Sequence, residues 1–415
     1  MNVDINTSSA RERYRHDLLD IYLAALRSVH GEQAVARWLA ANTVTACAVI
    51  AVGKAAPAMM RGASQTLGER LEAGLAITRH GYADPQLSSH ARITQVESSH
   101  PVPDDSSLSA GRAMLDFIAH QPGDRPLLFL ISGGTSSLVE ALRPGVTLDA
   151  LQRLNRWSLA SGLDIHAMNS LRCRLSAIKG GGLLRYLNAR PATVLLISDV
   201  PGDDHGVIGS GLLCRNREPE TTSDLPEWLA SLLPPAIVSA DASVPHFLVA
   251  TSEQAVKTAA DQAQSLGYAA WSEYPQLLGD AKEQGVAFVR LLKEAPPGVH
   301  VLGGETTVVL PQDPGRGGRN QHLALSAARE IAGCDDMFIL AAGTDGSDGP
   351  GGDAGALVDG QTWQRALDAG FSPELALRQA DSGSILEATG DLIDTGPTGT
   401  NVMDLLIGLK LPTRS

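Results

Sequence analysis

Cysteine is scarce in this chain. Cys47, Cys173, Cys214 and Cys334 are scattered over 415 residues without a CxxC pair. That spacing indicates neither a zinc site nor a disulfide framework. Aromatic residues are few, at 4%. Positive charge is in deficit: 33 Lys and Arg stand against 46 Asp and Glu, for a net charge of −13. Nucleic acid selects basic surfaces, so that partner class is set aside. An anionic substrate must then be met by local cations and not by the overall field. No apolar run reaches membrane-spanning length, and the opening MNVDINTSSARERYRHD has no signal-peptide pattern. The expectation is a cytoplasmic protein with no membrane partner. No repeat, heptad or low-complexity tract is present.

Glycine, by contrast, is abundant at 42 residues. Much of it follows apolar runs. Leu127 to Val139, LLFLISGGTSSLV, reads as a buried parallel strand, a glycine turn and the start of a helix. Ser132, Gly133, Gly134, Thr135, Ser136 and Ser137 then bring hydroxyls and free N–H groups to one point. Two readings stand: a phosphate site at a helix N-terminus, or a plain capped turn. The motif is neither GxxxxGK[ST] nor GxGxxG. The number of similar turns elsewhere favours the anion site.

Residues 11–40 have helical spacing, and TVTACAVIAV (43–52) is a strand ending in Gly53-Lys54. Lys54 at the first helical turn opposes the dipole, so it is a solvated residue or an anion ligand. Its place after a strand's carboxyl end favours the ligand. HPVPDD (100–105) is a rigid loop, with Asp105 or Ser106 as the cap of the next helix. Lys179, before three glycines, is a helix C-terminal cation or a phosphate contact. Asp199, Asp203 and Asp204 crowd one turn and are read as a magnesium site or a solvated acidic turn. Residues 215–240, rich in Pro, Ser, Thr and acids, mark the domain boundary, giving domains 1–235 and 236–415.

In the second half, VHVLGGETTVVL (299–310) reads as two strand halves bent at Gly303-Gly304-Glu305-Thr306. The loop GRGGRNQ (315–321) places Arg316, Arg319 and Asn320 at a helix start, where an oxyanion would be gripped by a guanidinium. AAGTDGSDG carries Asp345 and Asp348 after a strand, without the flanking helices of a calcium loop. TGPTGTN ends in Asn401 before a closing strand. Cations, hydroxyl-rich turns and spare carboxylates are the parts of phosphoryl transfer. No GxSxG elbow or Ser-His-Asp set appears.

Nine motifs in order, VGKAAPAM, HPVPDD, LISGGTSSL, MNSLRCRLSAIKGG, LISDVPGDD, GGETTV, GRGGRNQ, AAGTDGSDG and TGPTGTNVMDL, make the chain resemble the glycerate 2-kinase family from Lys54 to Leu409. The resemblance implies an α/β protein of two domains. The larger, N-terminal domain is a Rossmann-like α/β/α domain with a parallel sheet. The smaller, C-terminal α/β domain is the MOFRL domain, with an active-site cleft between the two. It implies ATP- and Mg²⁺-dependent phosphorylation of D-glycerate, or a related short hydroxy acid, to the 2-phosphate. Lys54, Arg319 and Asp199 are the implied catalytic residues. Ser132 to Ser137, Lys179, Glu305, Asn320 and Asn401 are implied in binding substrate or ATP, and Asp199, Asp203 and Asp345 in holding metal. A homodimer is admitted but not specified. Hydroxypyruvate reductase and a sugar-acid-binding regulatory module remain as rivals. The reductase would need a GxGxxG that the Gly53 turn lacks.

Overall fold

The computed structural model describes residues 5–161, 165–214, 225–233 and 244–412. The chain forms two compact units: His30–Ala250 with Gly399–Asn401, and Met1–Val29 with Thr251–Thr398 and Val402–Ser415. This division differs from a single cut at 235/236. Of the stretch expected to be a boundary, 215–224 and 234–240 lie outside the described residues. Its described part holds a short helix, Glu227–Leu232. Leu229 is buried there in a cluster with Leu151, Leu154, Leu171 and Leu175, and Trp228 meets Trp157 edge-on at 6.4 Å.

The first unit is built on six parallel strands: β1 (Cys47–Val52), β2 (Leu71–Arg79), β3 (Ile93–Ser98), β4 (Leu127–Ile131), β5 (Ala192–Ile197) and β6 (His246–Ala250). Their order is β3-β2-β1-β4-β5-β6. β1 and β4 are buried at every position. Central strands covered on both faces need continuous apolar sequence, which CAVIAV and LLFLI supply. On one face Ile50, Phe129 and Leu196 pack with Met114 and Ile118 of the helix Asp105–His120. That helix is capped by Asp104, one residue earlier than the sequence suggested: its carboxylate accepts from Ser106 N–H, and Ser107 completes a capping box. The strand order is that of a doubly wound Rossmann-like sheet, with its switch point between β1 and β4. Ligands in such sheets bind outside the strand carboxyl ends at that point.

The second unit carries β7 (Ala270–Trp271), β8 (Leu277–Asp280), β9 (Gly298–Thr307), β10 (Met337–Gly343), β11 (Gly355–Asp359), β12 (Leu392–Ile393) and β13 (Asp404–Lys410). The order is β12-β11-β10-β13-β9-β7, with β8 also on β9. β7 and β8 run parallel to β9, and the other pairs are antiparallel. The bend expected at 303–306 is absent. β9 is one strand of 10 residues, and Gly304, at φ 150°, lies where a Cβ would stand 2.3 Å from the Leu277 carbonyl oxygen. The glycine admits a neighbouring strand and does not turn the chain. The helical stretch read over 11–40 is two helices, Ile5–Ser28 and Gly31–Ala41. The first belongs to this second unit: Leu18, Ile21, Tyr22 and Ala25 are fully buried, and the Tyr22 hydroxyl donates to Gly343 O at 2.7 Å.

Candidate active site

Register brings the site together. Val52 of β1 pairs with Ile131 of β4, so the turns after both strands leave side by side. Ser132 N–H donates to Val52 O (3.0 Å), Lys54 N–H to Gly133 O (2.9 Å), and Ala55 N–H to Ser132 Oγ (3.1 Å). Thr135 Oγ donates back to Val52 O and Ser132 O at 2.9 and 2.7 Å. Ser132 and Thr135 are therefore fully buried fasteners of the two turns, not open ligands. Gly53 serves the same junction: at φ 131°, a Cβ there would meet Ser132 Oγ at 2.1 Å.

The N–H groups of Gly133, Gly134, Thr135 and Ser136 hydrogen-bond to no described residue. They are the donors of the turn. The helix that follows is only Thr135–Leu138, four residues, so the expected dipole contribution does not arise. Donor count, not a macrodipole, makes this turn suited to an oxyanion. Lys54 likewise precedes its helix, which starts at Ala56.

Several side chains close on the two glycines. A Cβ on Gly133 would stand 2.0 Å from Asp199 Oδ2 and 2.3 Å from Asn401 Nδ2. One on Gly134 would stand 3.2 Å from Lys54 Cγ and 3.1 Å from His100 Cδ2. Asn401 Nδ2 donates to Asp199 Oδ2 at 3.2 Å. Asp199 follows β5, so the turns after three neighbouring strands, β1, β4 and β5, supply Lys54, Gly133–Gly134 and Asp199, while His100 follows β3 and Asn401 precedes β13. Ser136 Oγ lies 2.8 Å from Ser210 Oγ, and Ser137 Oγ donates to Pro101 O at 2.7 Å. His100 and Ser210 were not singled out from sequence. Both sit in quoted or glycine-rich stretches, but nothing in one sequence pairs them with residues 34 or 74 positions away.

Lys179 is not a helix C-terminal cation, and its charge is already matched inside the protein. The helix Ile165–Leu175 ends four residues earlier, and Lys179 is 2% exposed. Its ammonium pairs with Glu140, whose other oxygen accepts from Ser176 Oγ (2.6 Å) and Ala141 N–H (3.0 Å). Asp203 ends a 3₁₀ turn, Pro201–Asp203, at φ 56° and is half-buried.

In the second unit, Arg319 opens the helix Arg319–Glu330. Its Nε and Nη2 fork onto Asp404 at 2.7 and 2.9 Å, and Nη2 also reaches Glu305 at 2.9 Å. Burial works against the guanidinium charge, but the Asp404 carboxylate and then Glu305 outweigh it and raise the pKa. Nη1 has no described partner. The sequence suggested a guanidinium fully available to an oxyanion; two carboxylates hold most of it. Asn320 is fully buried, and its N–H and Nδ2 donate to Asp348 at 3.1 and 3.4 Å. It supports the helix start and offers no exposed contact. Burial pushes the Asp348 carboxyl up to about 7, against the N–H bonds from Gln321 and Asn320. Asp345 accepts from Ser347 N–H at 3.0 Å. Among the described residues no group of three or more His, Cys, Asp or Glu side chains is placed to hold a metal.

A doubly wound parallel-sheet unit with a donor-rich turn at its switch point, joined to a mixed-sheet unit, defines a two-unit α/β protein of nucleotide-type architecture. Comparison with known proteins narrows this. A domain of unknown function, DUF4147, matches residues 17–233, and the MOFRL family matches residues 298–404. A D-glycerate 2-kinase of Thermotoga maritima is 32% identical, covering 94% of this chain and 97% of its own. The crystal structure of a glycerate kinase from Thermotoga maritima superposes with a TM-score of 0.82 at 31% identity, over 96% of this chain and all of that one. An Agrobacterium vitis protein, 36% identical over 96% of this chain and 94% of its own, carries only a provisional name as a hydroxypyruvate reductase. The chain belongs to the glycerate 2-kinase family with a C-terminal MOFRL region.

Proposed function

We propose that this protein is an ATP-dependent kinase that phosphorylates the 2-hydroxyl of D-glycerate. The observation that carries the reading is the closure of Lys54, His100, Asp199 and Asn401 on Gly133 and Gly134, whose own N–H donors are unused. Phosphoryl transfer requires positioned donors and charge neutralisation more than a covalent nucleophile. The turn N–H groups bind phosphate oxygens. Lys54 offsets charge on the transferring group. Asp199, oriented by the Asn401 amide, accepts the proton of the attacking hydroxyl. Arg319 contributes through Nη1, the guanidinium nitrogen its carboxylates leave over.

Mg²⁺ accompanies ATP in this reading. It takes hard oxygen donors, and with phosphates present it needs only one or two carboxylates. Asp199 and Asp203 in one unit, or Asp345 in the other, have that donor chemistry. When bound, Mg²⁺ supplies neutralisation of phosphate charge.

The reductase alternative needs a glycine-lined dinucleotide turn after β1. There Gly53 is taken up by Ser132, so its lack of a side chain serves packing between turns. The test is to incubate purified protein with D-glycerate, Mg²⁺ and ATP, and separately with hydroxypyruvate and NADH. The expected result is glycerate-dependent ADP and 2-phosphoglycerate. NADH oxidation without ADP would overturn the reading in favour of the reductase. Inactivity in both arms, with glycerate still bound, would favour a regulatory module.

A further inference from the structure

A cavity of about 20 Å³ opens beside the glycine turn, lined by Pro101, Pro103, Ser136, Ser137, Asn155 and Arg172, with Lys179 at its wall. That volume holds a carboxylate or one or two waters. Two cations face it, and they differ. Lys179 is neutralised by the buried Glu140. Arg172 has no ion pair with any described residue. Its Nε donates to Asn155 Oδ1 at 2.8 Å, and its other donors find no described acceptor. Burial lowers the Arg172 pKa, with only partial opposition from nearby groups. A half-buried guanidinium held by one neutral amide is a charge without its counter-ion. Proteins tolerate that cost where a ligand anion completes the pair.

We infer that Arg172 receives the carboxylate of the hydroxy-acid acceptor in this cavity, with Asn155 as the residue that positions the guanidinium. The assignment rests on the hydroxy-acid reading above and adds the group that would select an acid over a neutral polyol. Ser136 and Ser137 link the cavity to Gly133 and Gly134, the point on which Lys54 and Asp199 close. One guanidinium, with the Lys179 charge already matched, selects one carboxylate.

The test compares wild type with Arg172→Gln and Arg172→Lys, using D-glycerate, its amide glyceramide, and ATP. A charge-assisted fork contributes enough that Arg172→Gln raises KM for D-glycerate roughly 10²-fold. The KM for ATP stays within twofold, and the preference for D-glycerate over glyceramide falls by a similar factor. Arg172→Lys keeps the charge without the fork and gives an intermediate rise of about tenfold. If Arg172→Gln fails to fold, the Lys variant decides alone. Unchanged glycerate KM and unchanged acid-to-amide preference in the folded variant overturn the assignment. Failure of wild type to phosphorylate any hydroxy acid is a different result, which overturns the kinase reading. In that case thermal stabilisation by D-glycerate still decides Arg172: lost in the Gln variant it supports the anion site, and kept it refutes it.

Discussion

Replacing Lys179 with methionine removes the cation paired with a carboxylate that is itself fully buried. Both side chains of the Lys179–Glu140 pair are nearly inaccessible, at 1% and 0%. Glu140 would keep the Ser176 hydroxyl and the Ala141 N–H, but two neutral donors do not balance a buried charge. Breaking one side of such a pair costs about 3–5 kcal/mol. In a unit of this size that corresponds to a melting decrease of roughly 6–20 °C. Glu140→Gln added to Lys179→Met removes the charge while an amide oxygen still accepts from Ser176 and Ala141. The double variant should therefore recover most of the loss, with a coupling of about 2 kcal/mol or more. Urea unfolding of the full chain, followed by tryptophan fluorescence, measures all four corners. A Lys179→Met variant within about 1 kcal/mol of wild type, or a double variant worse than the single, would refute the buried-pair argument.

Three further outcomes follow from particular contacts. Gly133→Ala places a methyl 2.0 Å from Asp199 Oδ2 and should lower kcat by about 10²-fold with secondary structure intact, since small displacements of a reacting group carry that penalty; full turnover would show that Asp199 is not engaged there. Lys54→Ala should lose about 10²–10³ in kcat, as expected for removal of a charge-stabilising group, and steady-state kinetics of the folded variant checks it. Asp348 has a folded pKa of about 7, above an unfolded value of about 3.9. Its contribution to stability is fully present below the unfolded value and is lost as pH rises toward and through about 7. Relative to Asp348→Asn, wild type should weaken between pH 5 and 8, by at most about 1.4 kcal/mol per pH unit, in paired denaturation curves; a flat difference would exclude a proton on Asp348 in the folded state.

Much of the parallel-sheet unit was legible because its central strands are short apolar runs ending in glycine, and buried parallel strands can hardly be written otherwise. LLFLI and CAVIAV disclosed β4 and β1, and the turns after them disclosed Lys54 and Gly133. The errors have a common cause. Gly304 and Gly53 look like turn glycines, yet they are small because another backbone or Ser132 presses on them. Lys179 looked like a terminal cation because Glu140, its partner, lies 39 residues away and carries no local signal. Arg319 looked unencumbered because Asp404 follows it by 85 residues. Arg172 stood in a quoted motif, but only the cavity beside it distinguishes it from Arg174.

The position of β13 bears on how this protein is made. Among the described strands it is the last to leave the ribosome, yet it lies between β10 and β9 in the interior of its sheet. Until residues 404–410 are synthesised, the two flanking strands wait with unpaired backbone edges, a state prone to unwanted pairing. The tripeptide Gly399–Asn401, which belongs to the other unit, arrives only a few residues sooner. Nascent chains halted before residue 399 should therefore be protease-sensitive and dependent on chaperones, because both units wait for residues 399–410.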